Sequence, residues 1–303
     1  MRVSDPLSGE TMVLRPDITL QIARLATTRL GQKPRPLRLS YAGEALRLSG
    51  SELRPERQIT QAGLELIGWP ATAGLEAGFE VMDATLGALH NIGLDDITVD
   101  VVIPAFMPQL LIKLGYEDSK QTALLDALDT RDSVRIDQHA GDHASLLRCL
   151  YRAGGHWRDT WNTLFRLEVV KPILEAQVPD LPERLALLSE RWPGVHILLD
   201  PVERRGFQFQ TGISFSLFNP HIRGELGRGG HYTIDEEPAV GATLYVDSLL
   251  RGLPATLSRE EPLFATINTP QEQIDKARAK GQRVIRLFDD NVPQGASLLT
   301  SAF

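Results

Sequence analysis

Gln61 and Glu65 flank Gly63 in an otherwise apolar run from Ile59 to Gly68. On a strand, whose side chains alternate faces, Gln61, Gly63 and Glu65 share one side, and Ala62, Leu64 and Leu66 share the other. A carboxamide and a carboxylate on either side of a glycine suit a polar pocket floor, where a ligand can approach the backbone closely. The same pattern fits an edge strand with a solvated face and a bulge at Gly63, and these residues alone leave both readings open. Asp17 and Thr19 stand just ahead of a helical pattern (Ile22, Leu25, Ala26), where either can cap a helix from about Leu20 to Leu30. His139, Asp142 and His143 have a spacing that invites a metal. Two histidines four apart without a glutamate base pattern are mostly surface residues, however, so neither a metal nor a cofactor is expected. Cys149, the single cysteine, excludes an intramolecular disulfide and reads as a small buried hydrophobe.

These residues need a framework. Leu37 to Leu48 and Ile59 to Gly68 read as two strands joined by a polar, Arg-rich loop with a proline, about Ser51 to Gln58. Leu75 to Ile92 is an amphipathic helix with Phe79, Met82, Leu86 and Leu89 at helical spacing, and Ile97 to Ile103 is a strand. From Pro104 to Arg191 the pattern is almost entirely helical, broken at Gly115, Gly154-Gly155 and Pro179. Strands follow at Val195 to Leu199, Gln208 to Phe218 and Val240 to Val246. Glu225 to Tyr232 reads as a Gly-rich turn. Leu263 to Asn268, a helix from about Thr269 to Lys280 and Arg283 to Phe288 read as a βαβ unit too short to stand alone.

The 303 residues suffice for a substantial core, and 42% apolar with 23% charged residues are those of an ordinary globular protein. A formal net charge of −7 argues against a polyanion-binding surface, so no nucleic-acid partner is expected. No apolar run approaches the ~20 residues of a membrane span, and the first residues do not form a signal peptide, which points to the cytoplasm.

Four blocks in order carry a family resemblance. Gln61-Ala62-Gly63-Leu64-Glu65 and its hairpin resemble motif 2 of class II aminoacyl-tRNA synthetases, specifically the Gln-x-Gly-x-Glu strand of the histidyl enzyme. Leu14-Arg15-Pro16-Asp17-Ile18-Thr19 resembles its Leu-Arg-Pro-Glu-Gly-Thr. Arg205 to Gly212 resembles its Arg-Gly-Leu-Asp-Tyr-Tyr-Thr-Gly. Gly229-Gly230-His231-Tyr232, followed by Pro238 to Gly241, resembles its Gly-Gly-Arg-Tyr and the start of motif 3.

The resemblance implies an α+β fold: a class II synthetase-like antiparallel sheet flanked by helices, with a helical insertion and a short C-terminal βαβ piece. The expected segments are a first core part (1–103), the insertion (104–193), a second core part (194–258) and the βαβ segment (259–303). The helix and strand of motif 1, which form the family's dimer interface, have no counterpart ahead of Asp5, so the chain reads as a fragment or as one with a late start. Carried over residue by residue, a histidine pocket would consist of Asp17, Thr19, Arg47, Gln61, Glu65, Arg205, Phe209, Gln210 and Tyr232. Asp17 and Thr19 stand where the family holds the α-amino group. Arg47 stands at the motif 2 arginine that contacts carboxylate and phosphate, and Arg205 at the arginine beside the scissile phosphate. Phe209 and Gln210 replace two tyrosines around the imidazole.

The nucleotide half departs from the family. Ser49 replaces a glutamate, and Tyr245-Val246-Asp247-Ser248 replaces Gly-Leu-Glu-Arg, whose arginine clamps adenine and the γ-phosphate. One such lost clamp costs on the order of 10²–10³ in rate, and no room remains for an anticodon-reading domain. The resemblance therefore implies the family's non-charging paralogue, a regulatory subunit of ATP phosphoribosyltransferase. Such a subunit is not itself an enzyme; it works in histidine biosynthesis, binds L-histidine for feedback, and pairs as a homodimer with the short-form catalytic subunit in a hetero-oligomer. The alternative is a degenerate histidyl-type ligase forming an acyl-adenylate.

Overall fold

The chain enters through a short ribbon in which β1 (Arg2–Ser4) pairs antiparallel with β2 (Thr11–Val13). The computed structural model describes residues 2–4, 7–9, 11–47, 56–70, 73, 75–204, 210–253, 261–288, 293 and 297–299, in two units, residues 1–253 and 254–303. Helix α1 (Thr19–Thr27) follows. Its N-cap is Ile18, with no side-chain cap of its own, and the Asp17 carboxylate instead accepts the Thr19 N–H at 2.7 Å.

β3 (Leu37–Leu46) and β4 (Gln58–Ile67) form the expected hairpin, paired from Leu37 opposite Ile67 to Leu46 opposite Gln58. On its other side β4 pairs with a later strand, and the register runs unbroken through Gly63. β4 is thus an interior strand without a bulge, and the edge-strand alternative falls. Helix α2 (Glu76–Asn91) buries Phe79, Met82, Leu86 and Leu89, as their spacing requires, and β5 (Thr98–Val102) follows.

The insertion is helical, with α3 (Phe106–Lys113), α4 (Asp118–Asp129), α5 (Ser133–Ala140) and α6 (Ala144–Ala153) before a two-residue strand, β6 (Gly155–His156). It continues with α7 (Trp157–Phe165), α8 (Lys171–Gln177) and α9 (Leu181–Arg191). Within it, the His143 Nδ1 lies 3.2 Å from the Tyr116 hydroxyl. Groups of three His, Cys, Asp or Glu side chains able to hold a metal are absent among the described residues.

β7 (His196–Asp200), β8 (Ser214–Asn219), β9 (Ile222–Ile234) and β10 (Glu237–Tyr245) complete the sheet, and α10 (Val246–Gly252) ends the first unit. The eight strands run in the order β3-β4-β10-β9-β8-β5-β7-β6. All pairs are antiparallel except β5 with β7, so the sheet is mixed where an antiparallel one was expected. The large core lies between this sheet and helices that include α2 and the insertion.

Two sequence expectations fail in this region. The Gly-rich stretch 225–232 is strand interior and not a turn. Gly227 and Gly229 are needed because a Cβ at either would run into the backbone carbonyl of Thr243 or Gly241 on the neighbouring strand. The actual turn is Asp235-Glu236, both with positive φ, which suits a two-residue hairpin. Of the strand expected from Gln208, residues 208–209 lie outside the described residues and the described strand begins at Ser214; Thr211 and Ile213 lie alongside β9 through single backbone hydrogen bonds with His231. The second unit is a βαβ piece in which β11 (Leu263–Ala265) and β12 (Val284–Arg286) are parallel, with α11 (Gln271–Ala279) between them and its own small core of Ala265, Ile274, Ala277 and Leu299. No helix among the described residues is long and apolar enough to cross a membrane.

Candidate active-site cavity

Strands in register line up residues in rows across the sheet. One row runs Tyr41, Gly63, Thr243, Arg228, Ser216, Asp100 from β3 to β5. The next runs Leu39, Glu65, Gly241, Gly230, Ser214. Glycines alternate with large polar side chains in these rows, so each polar group lies over a bare neighbour. A Cβ at Gly241 would occupy the space of the Glu65 carboxylate, and a Cβ at Gly63 would strike the Tyr41 ring and the Ala242 carbonyl. Gly63 therefore admits Tyr41, not a ligand. Above the rows lies a cavity of 390 Å³ whose walls include Asp17, Thr19, Glu65, Tyr232, Arg47 and Arg228.

One side of the cavity is acidic. The Glu65 carboxylate is almost wholly buried and accepts the Tyr232 hydroxyl at 2.7 Å and the Thr19 hydroxyl at 3.0 Å. Burial pushes its pKa up to about 7; the two hydroxyl donors pull the other way, and nearby Asp17 adds to the rise. Tyr41 bonds the Thr243 hydroxyl at 2.6 Å, and burial together with the Glu65 charge holds its phenol well above the ordinary value. Burial does the same to Tyr232, reinforced by Glu65. Gln61 is fully buried: its amide oxygen accepts the Ile18 N–H at 3.1 Å, and its amide nitrogen donates to Asp17 at 2.9 Å. It stands behind Asp17 and fixes that carboxylate.

The cavity wall also carries guanidinium groups. Arg47 lies 5.6 Å from the centre of the Tyr245 ring. Arg228, which sequence reasoning did not single out, donates to both oxygens of Glu225 at 2.9 Å. Residues three apart on a regular strand face opposite sides, so this pair needs an irregularity. Gly224 has φ +93°, and the β8–β9 register shifts between Leu217 and Asn219. Such a bulge re-aims side chains, and here Glu225 ends on Arg228's side, where it also accepts the Ser216 hydroxyl at 2.8 Å. Burial disfavours the Arg228 cation, but the Glu225 charge and hydrogen bond outweigh it, and its pKa is held above the ordinary value. The signals a reader could have used are the Gly224-Glu225 pair ahead of Arg228 and the polar residue at 216.

Gln210 also borders the cavity, its carboxamide oxygen accepting the Ser214 hydroxyl. Arg205 and Phe209 lie outside the described residues, as does Ser49. Ser248 is buried on α10, and its hydroxyl accepts Arg251 at 2.9 Å. On the other face of β9, next to Tyr232, His231 is buried. Its Nδ1 donates to the Ile213 carbonyl at 3.0 Å, its Nε2 has no partner among the described residues, and burial lowers its pKa.

Residues 1–249 match the histidyl-tRNA synthetase family model. The ATP phosphoribosyltransferase regulatory subunit of Paramagnetospirillum magneticum is 41% identical over 281 residues, covering 92% of this chain and 73% of the relative. Among solved structures, an ATP phosphoribosyltransferase regulatory subunit/histidyl-tRNA synthetase from Bacillus halodurans superposes with a TM-score of 0.78 at 22% identity, covering 97% of this chain and 78% of that one. The ATP phosphoribosyl transferase (HisG:HisZ) complex from Thermotoga maritima gives 0.64 at 18% identity, covering 81% of this chain and 88% of that one. Continuous β3–β4 pairing from Leu37–Ile67 to Leu46–Gln58, the polar cavity beside it and relatives of this identity over most of the chain lead to one assignment: the chain belongs to the ATP phosphoribosyltransferase regulatory subunits, a family built on the histidyl-tRNA synthetase fold.

Proposed function

We propose that this chain is the non-catalytic subunit of an ATP phosphoribosyltransferase, that it binds L-histidine in the cavity between Asp17, Glu65 and Tyr232, and that this binding regulates a separate short-form catalytic subunit. The observation that carries the reading is the acidic side of the cavity. Two carboxylates, with Thr19 and Tyr232 holding one and Gln61 the other, suit a ligand ammonium. The loss of chemistry is supported by Ser248, a buried hydroxyl where the synthetases carry a phosphate-clamping arginine. Feedback requires histidine to bind the inhibited assembly more tightly than the active one. The test is co-expression with a short-form catalytic subunit. Co-purification, and phosphoribosyl-ATP formation that depends on this chain and falls with histidine, are expected; absence of both overturns the reading.

Arg47 on the cavity wall favours a second reading, a ligase that forms an acyl-adenylate. Histidine-dependent pyrophosphate exchange well above background would select it.

A further inference from the structure

α4 ends at Asp129, and the turn after it closes with the Arg131 N–H on the Leu128 carbonyl at 3.1 Å and the Asp132 N–H on the Ala127 carbonyl at 2.9 Å. A helix ending of this kind normally has glycine at its left-handed position. Here that position is Arg131, with φ +56°, and the backbone is strained there. The strain places a guanidinium. Arg131 donates to the buried carboxylate of Asp200 at the end of β7, and to the Tyr151 carbonyl on α6 at 3.3 Å. The other Asp200 oxygen accepts the N–H groups of Val202 at 2.9 Å and Glu203 at 3.1 Å. Asp129 takes the next residue, accepting the Arg204 N–H at 3.2 Å. Residues 200–204 are thus pinned to the insertion by two side chains at the end of α4. The same segment reaches the cavity. Gln210, a little further along the chain, lines its wall, and the Glu203 charge favours the Arg228 cation on that wall. Asp100, at the end of the row that runs through Arg228 and Ser216, feels the charges of Asp200, Glu203 and Arg131 together.

We infer that the insertion is coupled to the cavity through residues 200–204, with Asp129 and Arg131 as positioning residues for the ligand site. The inference deepens the amino-acid reading above and rests on it. By linkage, a protein that displaces the end of α4 weakens the ligand, and the ligand holds α4 in place to the same extent. The insertion is then a handle by which a partner acts on the cavity without touching it.

Calorimetric titration of the full chain with L-histidine tests this, with urea midpoints read on every variant. Arg131→Gly removes the guanidinium and relieves the backbone, and Asp129→Asn removes the charge at constant shape. Each is expected to weaken histidine by about threefold to thirtyfold, while Arg131→Lys, which keeps the cation, stays closer to the parent than Arg131→Gly. A purely structural role would move the midpoints and not the affinity of the folded chain. Arg131→Gly strands the Asp200 charge, so Arg131→Gly/Asp200→Asn, which has no such charge to strand, must show the same loss. Arg135→Gln breaks an exposed pair with Asp126 between α5 and α4 and is expected to leave the affinity unchanged. Affinities within about twofold of the parent for both Arg131→Gly and Asp129→Asn, or a double variant restored to the parent value, overturn the coupling and leave the histidine reading standing. A parent that binds no histidine overturns the reading itself, and the coupling with it.

Discussion

Glu65 is the residue on which binding and stability meet. It is neutral in both folded and unfolded chains below its ordinary 4.5. Between 4.5 and about 7 the unfolded chain releases the proton and the folded chain keeps it, so the stability present at low pH is lost as pH rises through that window. The shift corresponds to on the order of 3 kcal/mol. His231 acts with the opposite sign. Its lowered pKa means that acidification through its ordinary 6.5 protonates the unfolded chain first and costs stability. Urea unfolding from pH 5 to 8 separates the two, because Glu65→Gln removes the loss on the alkaline side and leaves the acid loss from His231. The same variant keeps the shape of the site but removes its charge, and histidine affinity is expected to fall by about ten to a hundredfold. Binding as tight as the parent's would displace the pocket from Glu65.

At the scale of elements, the glycines of the sheet differ in what they protect. Gly63→Ala meets the Ala242 carbonyl, which cannot step aside, and is expected to lower stability by about 1–3 kcal/mol. Gly241→Ala meets the end of the Glu65 side chain, which can swing away, so affinity is expected to suffer more than the denaturation midpoint. Leu66→Ala on the buried face costs about 2–5 kcal/mol with little change in binding; the partly buried Leu64 is the weaker choice for that control. Denaturant midpoints and titrations on the three variants check this ordering. Much of this level was legible in the chain. Period two gave β3 and β4, and period 3.6 gave α2, because both elements bury one continuous face. The stretch 225–232 was not legible, because a glycine says only that a side chain is absent. It does not say whether a turn or a neighbouring carbonyl needs the space. Arg228 escaped for a related reason: its partner Glu225 reaches the same side only through a bulge, which alternation cannot anticipate.

For the whole molecule, the described walls of the cavity all belong to residues 1–253, which have their own large core, while 254–303 has a separate small one. A chain ending at Leu253 is therefore expected to fold and to bind histidine within about twofold of the parent, since it keeps every described residue of the cavity wall; circular dichroism and titration would reveal a failure of either. The ordering of strands also has a practical consequence. Trp69 meets His231 edge-on, ring centres 5.8 Å apart, and His231 adjoins Tyr232 on β9, whose hydroxyl donates to Glu65 on the opposite, cavity-facing side of the sheet. The chain has four tryptophans, and with the other three replaced by phenylalanine, Trp69 becomes a sole emitter seated behind the cavity floor. Its fluorescence would then follow ligand arrival optically, from a side of the sheet the ligand never touches and without an attached dye.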